Sequence, residues 1–185
     1  MEDLIKTEEK YNSVIDPGID PDDGMSLSSA GDMALYLTFS LGKDLFGIHV
    51  SRAREVIEYK QVFKIPRVPG YLKGVINLRG EVVPVIDLHS RFYNKVSDIT
   101  TTTSIVIVEM DDDNRKISIG IIIDQVKAVT DLDENRIESV PEIGSKIRSD
   151  FIEGIGKVDD QFVILLNVKN ILNIEELSDI NDNIN

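Results

Sequence analysis

The sequence predicts a mainly β fold, built as two small five-stranded barrels with short helices. Three observations lead there. Apolar runs are short, five to seven residues, rich in Val and Ile, and bounded by Gly, Pro, Asp or Asn, which is the punctuation of strands. The chain also repeats itself. Gly47 lies nine residues before Val56 as Gly120 lies nine before Val129, and Ile65-Pro66 precedes Tyr71-Leu72-Lys73-Gly74 as Val140-Pro141 precedes Phe151-Ile152-Glu153-Gly154. Thirteen residues separate Gly74 from Asp87, and thirteen separate Gly154 from Asn167. Finally, strands this short bury their apolar faces best by curling into small closed sheets, which also hides their edges.

Taken in order, Leu35 to Leu41 alternates as a strand, Gly42-Lys43-Asp44 turns, and Leu45 to Val50 returns. Ser51 to Arg54 makes one helical turn before a third extended run, Glu55 to Tyr59. Pro66 and Pro69 impose a loop. The hairpin from Leu72 to Leu88 is the centre of the chain. Two β-branched runs flank Arg79-Gly80, and glycine tolerates the positive φ that a tight hairpin requires. Val82 to Ile86 is apolar on both faces and is expected to be buried on both sides. Pro84 lacks an amide donor and marks an edge or a bulge. Asp87 is placed to N-cap a short helix ending near Phe92, and the polar stretch Asn94 to Thr103 crosses between the lobes. Ser104 to Met110, Ile117 to Ile123 and Val126 to Leu132 continue as strands, with a turn over Asp111 to Arg115. Asp133 to Ser149 mixes loop and short helix. A last hairpin, Ile152 to Val158 and Phe162 to Asn167, turns at Asp159-Asp160, and helical spacing from Val168 closes the body.

The net charge of −13 is a property of the ends. Residues 1 to 33 carry −7 and residues 174 to 185 carry −4, so the body is −2. The expected organisation is therefore an acidic, solvated segment over 1–33, a folded body over 34–177 and a polar tail over 178–185. The body divides into lobes near 34–99 (net +4) and 100–177, with strand or helix exchange between them left open; the second half is net −6 over residues 100 to 173. Opposite signs suit docking on different partners or on copies of a similar fold. Neither sign is concentrated enough for a nucleic-acid backbone. Without cysteine there is no disulfide, thiolate nucleophile or Cys-based zinc site. No apolar run reaches the roughly 20 residues of a membrane span, so a cytoplasmic protein with no direct membrane insertion is expected.

Catalytic chemistry finds no footing. His49 and His89 have no metal spacing. Asp111-Asp112-Asp113-Asn114 is calcium-like in composition only, since Lys116 stands at the loop's glycine position and Ile122 at its bidentate glutamate position. Asp20 to Gly24 loses the alternation of ligands after Asp22. Gly154-Ile155-Gly156-Lys157 lacks the first glycine and the final Ser or Thr of a phosphate loop. The serines form no nucleophile elbow. No catalytic residue, cofactor or metal is expected.

Several stretches together resemble the bacterial chemotaxis coupling proteins of the CheW family. They are Leu37-Thr38-Phe39-Ser40-Leu41-Gly42 with Phe46-Gly47-Ile48, Glu55-Val56-Ile57, Gly74-Val75-Ile76-Asn77-Leu78-Arg79-Gly80, and Val83-Pro84-Val85-Ile86-Asp87-Leu88. The later half agrees through Ile119-Gly120-Ile121-Ile122-Ile123-Asp124, Phe151-Ile152-Glu153-Gly154 and Ile164-Leu165-Leu166-Asn167. The resemblance spans about Leu35 to Leu177. It implies two SH3-like barrels and a non-enzymatic adaptor joining methyl-accepting chemotaxis receptors to the regulatory domain of the histidine kinase CheA.

It further implies a groove between the barrels for the receptor's cytoplasmic tip, and a barrel end for the kinase. By matching position, the implied partner contacts are Arg79 and Glu55, with Gly74 in the matching hairpin. Val50, Ile105 and Val129 are the implied groove residues, and Ile143, after Pro141-Glu142, marks a ring-forming contact. Whether Arg79 and Glu55 pair with each other or face partners separately is open at the level of sequence, and plain barrel core is the competing role for Val50, Ile105 and Val129. Three alternatives stand beside this reading. One is the coupling domain of a longer relative, for which a chain of this length is expected to leave no room, and another is a variant serving a pilus or other non-flagellar pathway. The third is a small-barrel ligand-binding protein or enzyme, which needs a convergent polar pocket.

Overall fold

The computed structural model describes residues 32–112, 115–140 and 147–171. Ten strands run through them: β1 (Met33–Leu41), β2 (Asp44–His49), β3 (Ala53–Glu58), β4 (Leu72–Leu78), β5 (Glu81–Asp87), β6 (Ser104–Asp112), β7 (Arg115–Ile123), β8 (Gln125–Asp133), β9 (Ile152–Val158) and β10 (Gln161–Leu166). Two short helices, α1 (Leu88–Tyr93) and α2 (Val168–Ile171), follow β5 and β10. Strand boundaries fall within two residues of those expected from alternation and turn residues.

The pairing of the strands shows the exchange that the expected lobes left open. One sheet has the order β8-β1-β2-β10-β9 and the other β3-β6-β7-β5-β4. Neither half of the sequence, 34–99 or 100–177, makes a sheet alone, because each contributes its first two strands to one sheet and its last three to the other. The repeat explains the arrangement. Strand n in one sheet answers to strand n+5 in the other, down to the register of the parallel pairs, Leu165 opposite Gly47 and Val85 opposite Gly120. Both glycines are places where a side chain would crowd its neighbours: a Cβ on Gly47 would lie 3.0 Å from Leu165 Cδ2, and one on Gly120 would lie 2.9 Å from Ile105 Cγ2.

Three clusters of buried residues follow from strand alternation. In β1, Leu37, Phe39 and Leu41 face a core shared by both sheets, while Tyr36 faces the hollow of its own sheet with Leu132, Val163 and Leu165. In β6, Val106, Val108 and Met110 join the shared core, and Ile105 and Ile107 fill the second hollow with Ile76, Val83 and Ile122. Each sheet curls without closing by a continuous ladder. Its two edges meet instead through isolated bridges, Phe63 to Val75 in one sheet and Glu138 to Ile155 in the other.

The β4–β5 hairpin turns on Arg79 and Gly80, at φ 52° and 89°, both positive as a two-residue turn matched to strand twist requires. Asn77 steadies it, its Oδ1 accepting from Gly80 N at 3.0 Å. Pro84 lies inside the sheet and not at an edge, and its tolerance has a local cause. Val75, opposite it, exchanges both backbone hydrogen bonds with Phe63, and the parallel ladder to β7 begins only at Val85, so no partner asks Pro84 for an amide proton. Burial on both sides, expected over Val82 to Ile86, holds from Val83 apart from half-buried Pro84; Val82 itself is 62% exposed.

Asp87 is fully buried and caps α1, accepting from Ser90 N; it also accepts from Ser97 N and Ser97 Oγ at 2.9 and 2.6 Å. The crossing segment after α1 is thereby anchored, and Ser97 and Thr103 are buried within an otherwise polar stretch.

The other anchor of α1 reaches the opposite sheet. His89 Nε2 lies 3.0 Å from Asp124 Oδ1, Gly42 N donates to Asp124 Oδ2 at 2.7 Å, and Tyr93 OH donates to Asp44 Oδ2 at 3.1 Å. Burial, and then the Asp44 carboxylate, push the Tyr93 phenol well above its ordinary pKa. The unfolded chain ionises near pH about 10 while the fold holds the proton, so this contribution is whole below that pH and is lost as pH climbs towards the folded value. Tyr93→Phe is expected to cost about 0.5–1.5 kcal/mol at neutral pH and to make the alkaline loss of stability shallower. Tyr36 and Tyr59, also raised by burial, supply the slope that remains. Urea unfolding at neutral and alkaline pH checks both, and an unchanged slope would take Tyr93 out of the titration.

Candidate functional site

At one end of the sheet β3-β6-β7-β5-β4 the rows of side chains that face its hollow change from apolar to polar. Along β3 the row passes from Ile57 to Glu55, along β5 from Val83 to Glu81, along β6 from Ile107 to Glu109, and along β7 from Gly120 to Ser118. The Arg79 turn stands at the same end. The result is a ring of charge over the mouth of a small apolar core.

Arg79 and Glu55 come together there, which sequence alone left open. Arg79 Nη1 donates to Glu55 Oε1 at 3.1 Å and Nη2 donates to Oε2 at 3.0 Å, the two-pronged geometry of a guanidinium on a carboxylate. Because β3 and β4 are opposite edges of the sheet, this pair bridges its seam as well as covering its mouth. The two side chains are unequally held. Glu55 is 21% exposed and Arg79 70%, so the arginine presents most of its head to solvent from a turn whose backbone is fixed on both sides.

Arg54, next to Glu55, points into the same ring. Its Nη1 lies 3.1 Å from Glu81 Oε2, 3.2 Å from Ser118 Oγ and 3.6 Å from Glu109 Oε1, and its Nε lies 3.9 Å from Glu55 Oε1. Lys116 Nζ reaches Glu109 Oε2 at 3.8 Å. The Ser118 hydroxyl first, and Arg54 second, hold the Glu81 carboxyl below the usual range. Arg54, Glu81 and Glu109 are absent from the sequence-predicted contacts. Strand parity is the signal that finds Glu81 and Glu109, each a charged residue in a row otherwise aimed at the core; Arg54 has the opposite parity on β3 and joins them at the register shift between Ala53 and Glu55.

The implied groove residues fall in different places. Val50 opens the 3₁₀ turn Val50–Arg52, half-buried, where the chain passes from β2 in one sheet to β3 in the other. Val129 lies on the outer strand β8 opposite Leu37, and carries the shared-core face outward into solvent, 57% exposed. Val50 thus lies at the crossing between the sheets, and Val129 on an outer edge. Its repeat partner Val56, opposite Val106 on β3, is exposed in the same manner, and the nine-residue offset from the glycines is the sequence signal for it.

Ile105 is corrected from groove to core. It is fully buried with Val85 and Ile122 because alternation along β6 turns it into the hollow of its sheet. Gly74 is likewise buried, at φ 141°, so no side-chain contact with a partner comes from it. Ile143 lies outside the described residues.

A second concavity, about 790 Å³, opens on the other sheet between β8 and β9. Asp131, Asp133, Arg136, Glu138 and Lys157 line it with Phe162, an assortment of both signs around no common point. Among the described residues no three His, Asp or Glu side chains gather as a metal site.

The family model of the CheW-like domain matches residues 35–176. The chain is similar to the chemotaxis protein CheW of Klebsiella aerogenes, 30% identical over 143 residues, which is 77% of this chain and 84% of that protein. It is similar to the CheW of Bacillus subtilis at 32% over 139 residues, 75% of this chain and 86% of that one. Among solved structures it resembles the scaffolding protein TtCheW of Thermoanaerobacter tengcongensis, with a TM-score of 0.69 and 34% identity, covering 77% of this chain and 90% of that chain.

Proposed function

The chain belongs to the CheW-like domain family, and on that premise we propose that it joins methyl-accepting chemotaxis receptors to the histidine kinase CheA. A member of this family is a scaffold of chemotaxis signalling and not an enzyme. The finer reading, which partners it couples and through which residues, rests chiefly on one observation: a bidentate Arg79–Glu55 pair offered on a rigid turn, with Arg79 mostly in water. A surface pair of this kind adds little to folding, about 0–1 kcal/mol, whereas a fixed charge at an interface selects partner and orientation.

Apolar surface stands near enough in sequence to contribute affinity. Val82, three residues past Arg79, is 62% exposed, and Val129 stands in solvent on the edge strand β8. In this reading Arg79 and Glu55 orient the receptor tip and the kinase regulatory domain, and Val50 and Val129 supply the apolar contact. Ile105 and Gly74 act from within by shaping the sheet. Ile143 is kept as a ring-forming contact on the resemblance alone. The site of action is the cytoplasm, at the inner face of the membrane where receptors gather. Among the described residues no helix is long and apolar enough to cross a membrane.

The test is a titration of the full chain against the isolated CheA regulatory domain, and then against a receptor signalling fragment, both from the same source. Saturable binding to each, with affinities around micromolar or about −8 kcal/mol, is expected. Folded protein that binds neither would end the adaptor reading, and a small-ligand screen would replace it.

A further inference from the structure

The ring at the mouth of the second sheet holds three cations, Arg54, Arg79 and Lys116, and three anions, Glu55, Glu81 and Glu109. They are not equivalent. Glu55 is the anion with two guanidiniums near it: Arg79 in a bidentate grip and Arg54 with its Nε at 3.9 Å. Arg79 is the outermost of the three that meet there, with 70% of its side chain exposed against 34% for Arg54 and 21% for Glu55.

That ordering matters when a partner arrives. For Arg79 to take an acidic side chain from a partner it must loosen its hold on Glu55, and a partly buried carboxylate left without a cation is costly. Arg54 stands where it removes that cost. It is held in place independently of Arg79, by Glu81, Ser118 and Glu109, and its Nε is the part of the head nearest Glu55.

We propose that Arg54 is a positioning residue for partner binding, the reserve counter-ion that retains Glu55 while Arg79 is handed to an acidic side chain of the partner. This rests on the adaptor reading, in which Arg79 is a contact. The pair is then a transferable latch. Arg79 is pre-aimed by Glu55 in the free protein, and released at little cost because Glu55 is never stranded.

The test is a double-mutant cycle on the full chain, read by titration with the CheA regulatory domain and the receptor fragment and by thermal melting. Arg54→Gln keeps a donor for Ser118 and removes the charge. It is expected to weaken binding about three- to tenfold with the fold retained, and Arg54→Lys to restore most of the loss. In a Glu55→Gln background there is no carboxylate to strand, so Arg54→Gln is expected to have no further effect on binding. A purely structural role would weaken binding equally in both backgrounds, which would overturn the proposal, as would unchanged binding of Arg54→Gln. Glu55→Gln alone is expected to weaken binding, because it removes the carboxylate that aims Arg79, so the cycle compares the fold-change that Arg54→Gln causes in each background. Failure of the adaptor reading has a different signature: the folded wild-type chain would then bind neither partner.

Discussion

Arg79→Glu is expected to weaken partner binding about 30- to 100-fold while leaving the chain folded. The two effects separate because they draw on different parts of the residue. The backbone at position 79 sits at φ 52° in a turn stabilised by Asn77 and Gly80, and glutamate meets the same backbone demand as arginine. What changes is the head group. A carboxylate now faces Glu55, and the loss to folding is that of an exposed pair and its reversal, about 1 kcal/mol. At an interface the same reversal removes a paired charge and sets like charges against each other, about 2–3 kcal/mol. Titration beside a thermal melt reads both, and equal affinity at equal stability would remove Arg79 from the interface.

Gly74→Ala is expected to be the most damaging small change to the fold, about 3–5 kcal/mol against a total of roughly 5–15. The reason is geometric. Gly74 has φ 141°, a conformation that L side chains rarely adopt. A Cβ there would lie 2.7 Å from the Phe63 carbonyl carbon and closer still to its oxygen, with Val62 Cγ1 at 3.0 Å. Phe63 cannot step back, because it is tied to Val75 by hydrogen bonds of 2.8 and 2.9 Å that bring the edges of the sheet together. Gly70→Ala is the control, since nothing lies within 4 Å of its Cβ position, and it is expected to stay within about 0.5 kcal/mol of the wild type. Denaturant midpoints compare the two, and a matching midpoint for Gly74→Ala would show that the bridge yields. Any loss of partner binding in that variant follows from the sheet, not from a contact made by residue 74.

Much of this was legible because the signals are local. Alternation of Val and Ile against turn residues placed the strands, Arg79-Gly80 announced the hairpin, and Asp87 announced the cap of α1. The repeat announced two equivalent five-stranded units, and paired Gly74 with Gly154 and Asp87 with Asn167 before any coordinates. Those correspondences recur in space: Asp87 N donates to Tyr71 O, and Asn167 N donates to Phe151 O. Composition also left no cysteine chemistry, since a residue count does not depend on folding.

Tertiary structure decided the rest. A repeat says that two units are alike, not which strands make up each unit, because a strand from either half presents the same alternating edge to the parallel slots beside β2 and β5. Ile105 and Val129 look alike in sequence as apolar residues of alternating strands. One fills a hollow and the other stands in solvent, because β6 is flanked on both sides and β8 is an edge. Arg79 and Glu55, on opposite edges of one sheet, become partners only when it curls until its edges meet. A one-dimensional pattern fixes which way side chains alternate; the curl of the sheet fixes what they reach.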